Sequence, residues 1–160
     1  MKNIEQYVQA VLTAGTVCEL CYHNIDHTLR VVRNAEFIAN IEKVSEEELF
    51  VIKAIAWLHD IGYTQSYDGH EDASKSIAHA FLLDQDIEED SINAIVDGID
   101  ATRVPQVPKN KIEMIIADAD LFDLGTDEYF ELSERLFNEW DDCLQPSSRE
   151  SHWHFSLAFL

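Results

Sequence analysis

From residue 3 to about residue 140, apolar residues recur at spacings of three and four, the period of a helix with one buried face. That pattern constrains the chain more than any other feature. It predicts helices over 3–14, 23–41, 45–58, 71–83, 87–101, 112–122 and 126–140. The third opens on Ser45-Glu46-Glu47-Glu48, the signature of a reciprocal N-terminal cap. Gly62 and Gly69 bracket a polar loop, Pro105 and Pro108 mark another, and Pro146 breaks the chain before Ser147 or Ser148 could cap a last helix. No alternating strand pattern, internal repeat or low-complexity run interrupts this. The expectation is an all-α fold, one helical bundle over 1–160, with short loops between neighbouring helices.

Charge narrows the function. Acidic residues outnumber basic ones 31 to 11, for a formal charge of -20. Nucleic-acid polymers and anionic membranes, which bind through clustered Lys and Arg, are poor partners for such a chain. A small phosphorylated substrate would also be repelled unless its site carried its own cation. No stretch reaches the ~20 apolar residues of a membrane span, and the start lacks a leader's apolar run. Three cysteines are too few for a disulfide framework. Cys18 and Cys21 are expected as packing residues, Cys143 as a lone thiol, and the chain as cytoplasmic.

Three clusters carry candidate chemistry. His59-Asp60 closes the apolar run Ala54-Ile55-Ala56-Trp57-Leu58 just before Ile61-Gly62, so both side chains can converge where a helix stops. His23 and His27, four apart, share a face if their helix includes both, and Arg30 and Asn34 continue it opposite Thr28, Val31, Ala35 and Ile38. Asp118 and Asp120 follow the apolar Ile112, Met114, Ile115 and Ile116, where a carboxylate is costly to bury without a partner. Imidazole and carboxylate suit Mn, Mg, Fe, Co, Ni or Zn alike. His152 and His154, two apart, share no helix face and read as terminal residues. Phe130, Leu132, Leu136, Phe137 and Trp140 read as core or interface, and the apolar end from Trp153 to Leu160 needs cover either from the bundle itself or from a second subunit, the latter making a homodimer.

Together, Tyr22-His23-Asn24 with His27-Thr28, then His59-Asp60-Ile61-Gly62, then Asp118-Ala119-Asp120-Leu121, resemble the HD-domain metal-dependent phosphohydrolases, over about 22–140. His70-Glu71 with Ser74, and Ile99-Asp100-Ala101-Thr102, are similar to features of a subgroup of small bacterial HD proteins. The resemblance implies an enzyme whose metal is held by His27, His59, Asp60 and Asp120. The Tyr-His-Asn segment is similar to that of class I cyclic-nucleotide phosphodiesterases, which implies His23 as the acid protonating the leaving oxygen. Asp60 and His70 complete the catalytic set, and Arg30, Glu71, Thr102 and Arg103 are the candidate substrate contacts. His70 fits the first of two histidines that dinuclear relatives add, while Thr102 stands where the second would fall. One tight metal is therefore favoured, with a weaker ion bridged through Asp60. The expected activity is hydrolysis of a small phosphoester, a nucleotide or cyclic-nucleotide diester among the options. The alternative is a metal- or nucleotide-binding signalling module without turnover.

Overall fold

The structure is a computed structural model that describes residues 1–144. It contains seven α-helices: α1 (Lys2–Ala14), α2 (Ile25–Glu42), α3 (Glu46–Leu58), α4 (His70–Leu83), α5 (Glu89–Ile99), α6 (Lys111–Asp120) and α7 (Tyr129–Cys143). Short 3-10 turns follow α3 (Ile61–Thr64), α5 (Asp100–Thr102) and α6 (Phe122–Gly125). No strand occurs among the described residues. The expected cap at Ser147 or Ser148, His152, His154 and the apolar C-terminal end lie outside them.

α3 is central because it is apolar on nearly all sides. Ile52, Ala54, Ile55, Ala56 and Leu58 are fully buried, and the helix packs on α1, α2, α5 and α6. Gly98 lets α5 come close: a Cβ there would lie 2.3 Å from Ile55 Cδ1. At the start of α3, Ser45 Oγ accepts from the Glu48 amide while the Glu48 carboxylate accepts from the Ser45 amide, at 3.1 and 2.7 Å.

Three departures from the periodicity shape the site. The second helix begins at Ile25 rather than at residue 23, because the Asn24 carboxamide oxygen accepts from the amides of Asp26 and His27 and so caps it. His23 is therefore outside the helix and does not share a helical face with His27. The polar loop after Asp60 is partly a 3-10 turn seated on α4, where the Gly62 amide donates to Ser74 Oγ at 2.7 Å. A Cβ on Gly62 would fall 1.9 Å from the His70 carbonyl oxygen, so the turn needs glycine there. The sixth helix ends at Asp120, not 122, and a buried Glu113 fixes its start by accepting from the Lys109 amide and the Asn110 side chain.

The cysteines correct an expectation. Cys18 and Cys143 form a disulfide, and Cys21 alone is free. Neither Cys18 nor Cys21 lies on a helix; both sit in the connection of residues 15–24 between α1 and α2. Phe130 is likewise not core: it is among the most exposed apolar side chains, whereas Leu132 and Trp140 are buried. No helix among the described residues is long and apolar enough to cross a membrane.

Candidate metal centre

His27 enters from the first turn of α2, His59 and Asp60 from the end of α3, and Asp120 from the last residue of α6. His27 and His59 are 1% exposed and Asp60 3%. Their Nε2 atoms lie 3.4 Å apart. Asp60 Oδ2 is 3.1 Å from His59 Nε2 and 3.4 Å from His27 Nε2. Asp120 Oδ1 is 3.3 and 3.6 Å from the same two nitrogens. Ligands about 2.1 Å from one ion stand roughly 3.0–3.4 Å from one another in octahedral or tetrahedral arrangement. The separations observed are of that size.

The polar accounting agrees. Asp60 Oδ2 is buried and, despite its two imidazole neighbours, makes no hydrogen bond of proper geometry. A carboxylate oxygen in that state is costly unless a cation completes it. His59 Nδ1 lies 2.9 Å from the Ala56 carbonyl oxygen, which fixes the ring and leaves Nε2 facing the cluster. Burial pulls the protonated form of His59 down, but the charge of the adjacent Asp60 carboxylate, with that of Asp120 behind it, more than offsets this and raises the imidazole to about 9. Burial pushes Asp60 up, and the same His59, helped by His70 and His23, holds it well below the usual carboxylate range. His27, His59 and Asp60 form a group that could hold a metal ion.

Around this cluster opens a cavity of about 250 Å³ lined by His23, Asp60, His70, Glu71, Thr102 and Asp120, with Tyr22, Tyr67, Leu136 and Trp140 among its further walls. His70 Nε2 lies 3.4 Å from Asp60 Oδ1, the oxygen turned away from His27 and His59, and its ring stacks on Tyr63. Thr102 reaches the cavity, but its hydroxyl donates to the Ile99 carbonyl oxygen. Asp118 is exposed at the helix end.

The two candidate arginines stand outside the cavity lining, each paired with carboxylates. Arg30 is bonded through Nε to Asp123 at 3.0 Å and lines an outer depression rather than this cavity. Arg103 pairs with Glu71, Asp72 and Asp100 at 3.0–3.5 Å and does not line the cavity. Both are drawn off by carboxylates, which a chain with this acid excess supplies everywhere. Asn34 donates to the Ala119 carbonyl oxygen and ties α2 to α6.

The residue missed in the sequence is Glu139. Fully buried on α7, it accepts from the amides of Tyr22 and His23 at 2.7 and 3.0 Å, from the Tyr67 hydroxyl at 2.8 Å, and lies 2.5 Å from His23 Nδ1. Burial lowers the His23 imidazole and Glu139 raises it, with a net rise; Glu139 itself is pushed up by burial and brought down, on balance, by His23. A signal existed: Glu139 falls on the stripe of Leu132, Leu136 and Trp140, an acid where a helix should be apolar.

An all-α bundle that buries two histidines and a carboxylate as one group able to hold a metal ion, with Asp120 beside the same two imidazoles, is the class of a helical metal-binding domain. The HD domain family model matches residues 24–125, and the chain belongs to that family of metal-dependent phosphohydrolases. No curated protein and no solved structure matches the chain.

Proposed function

We propose that the protein hydrolyses a small phosphoester with water activated at a divalent ion held by His27, His59, Asp60 and Asp120. The observation that carries this is the approach of the His27 and His59 Nε2 atoms to each other and to one oxygen each of Asp60 and Asp120, at 3.1–3.6 Å, with the Asp60 oxygen lacking a proper hydrogen bond. When bound, the ion supplies Lewis acidity, acidifying water from 15.7 toward ~7 and offsetting charge on the phosphoryl group. The ion also answers the repulsion that a chain of charge -20 would present to a phosphate.

His23 is the general acid. Glu139 takes its Nδ1, so Nε2 is left to carry a proton toward the leaving oxygen. His70 and Glu71 orient substrate and water, and Asp60 with His70, 3.4 Å from its Oδ1, would hold a weaker second ion if one binds. The cavity's size and its Tyr22, Tyr67 and Trp140 walls suit a nucleotide or cyclic-nucleotide diester, the narrower form of this reading.

The test is metal add-back. Protein stripped with a chelator is given Mn, Mg, Co, Ni, Fe or Zn singly and offered a monoester, a diester, cyclic nucleotides and a nucleoside triphosphate. Phosphoester cleavage that depends on the added metal is the expected result. Stoichiometric metal binding with no cleavage of any ester would replace the enzyme by a sensor module.

A further inference from the structure

We infer that the Cys18–Cys143 disulfide is a redox modification site that holds His23 in place, a role that rests on the reading of His23 as the acid. The connection of residues 15–24 carries both Cys18 and His23, and α7 carries both Cys143 and Glu139. On α7 these two are four residues apart and so share a face. The same two segments are thus joined twice, once by the sulfurs and once by Glu139 with Tyr22 and His23. The connection has no regular structure of its own. Its further ties are single contacts, among them the Val17 amide to the Tyr63 carbonyl oxygen, the Thr16 hydroxyl to the Cys18 carbonyl oxygen, and the rings of Tyr22 and His23 against His27 and Tyr63. Glu139 takes both the amide and Nδ1 of His23, so the tilt and tautomer of that ring depend on α7 staying against this segment.

Both bonded cysteines are partly exposed, within reach of a dithiol reductant. A thiolate of that reductant attacks one sulfur and the protein S–S bond breaks, with a mixed disulfide forming. The reductant's second thiol then displaces the protein sulfur. Two electrons and two protons pass to Cys18 and Cys143, and the dithiol leaves as its own disulfide. In a reducing compartment, a protein disulfide is characteristically a sensing one. Reduction removes the covalent one of the two links to α7 and leaves Glu139 alone to hold it, while the proposed ligands on α2, α3 and α6 stay in place.

The test compares metal-loaded full-length protein before and after reduction with a phosphine, and the double variant Cys18→Ser/Cys143→Ser without reductant. Alkylation and mass measurement should find one free thiol before reduction and three after. Amide exchange at Tyr22 and His23 should speed at least tenfold in both the reduced protein and the double variant, with bound metal unchanged. Cleavage of an alkyl phosphoester should fall at least tenfold, and that of an activated aryl ester less than threefold. Cys21→Ser, which keeps the bond, should respond to reduction like the parent. Three free thiols in the unreduced protein, or unchanged amide exchange after full reduction, overturns the inference. Exchange that speeds in a protein that cleaves no ester in either state leaves the tether standing and removes the acid role instead.

Discussion

The metal cluster and the acid beside it are built by different means. His27, His59 and Asp60 project from α2 and α3, whose other faces form the hydrophobic core, so their positions are set by the same burial that folds the chain. His23 stands on an irregular segment, and what fixes it is a carboxylate from α7, two backbone amides and, one turn on, a disulfide. α7 buries few side chains, Leu132, Glu139 and Trp140. On the proposed reading the lesson is a division of labour: the ion's ligands are part of the core, whereas the proposed acid is attached to it by a carboxylate and a disulfide that can be removed alone.

The sharpest way to break that comparison is at Asp60. Asp60→Ala removes a ligand and leaves two buried imidazoles without their carboxylate. Activity should fall by more than about 100-fold, the upper range for losing a mere supporting group, and metal content measured by atomic emission should fall with it. Full metal occupancy in the variant would take Asp60 out of the ligand set. His23→Ala attacks the other region. Metal content should be unchanged, and alkyl ester cleavage should drop by about 10²–10⁴, the usual worth of a positioned acid. Aryl esters, whose leaving oxygens need no proton, should slow far less; equal slowing of both would refute proton donation by His23.

The same division explains what could be read in advance. The apolar faces of α2 and α3 follow from periodicity, whereas the four proposed ligand positions come from the resemblance to HD-domain proteins, of which the structure draws His27, His59 and Asp60 into one group. Glu139 is 116 residues from His23 in sequence, and no local pattern links the two. The disulfide, closing a separation of 125 residues, is equally silent in spacing. Asn24 shows the local form of the problem. The periodicity continues back through His23, but a capping side chain outweighs it, so the histidine pair reaches the site from a loop and a helix instead of from one face. The pairing of Arg30 with Asp123, and of Arg103 with Glu71, Asp72 and Asp100, is silent for a different reason: charge sign is visible in a sequence, the carboxylate that sits beside it is not.

A pH series sharpens the metal side. In the metal-free protein His59 is raised from 6.5 to about 9. Its protonated form therefore contributes stability that is complete below pH 6.5 and lost as pH climbs through about 9. A ligand nitrogen must be unprotonated, so binding the ion releases that proton. Asp60, already ionised, releases none in this range. Apparent affinity should tighten by up to about tenfold per pH unit between 7 and 9 and level off above. Calorimetric titrations at three pH values in two buffers of different ionisation enthalpy would measure both slope and proton release. A flat profile with no proton release would mean that His59 is neutral before the ion arrives.

The smallest effect is expected at Arg103, and it tests whether the cavity's edge belongs to the site or to the surface. Its guanidinium is shared among Glu71, Asp72 and Asp100, and it is more than a third exposed, at 38%. Solvent screening leaves such pairs worth about 0–1 kcal/mol. Arg103→Ala should therefore lower the melting temperature slightly and change KM less than about twofold, since Glu71, which does line the cavity, keeps its place on α4. A tenfold rise in KM with unchanged stability would mean that substrate draws Arg103 away from its carboxylates. The edge would then count with His23 as an attachment to the core, set by ionic contacts that the substrate itself rearranges.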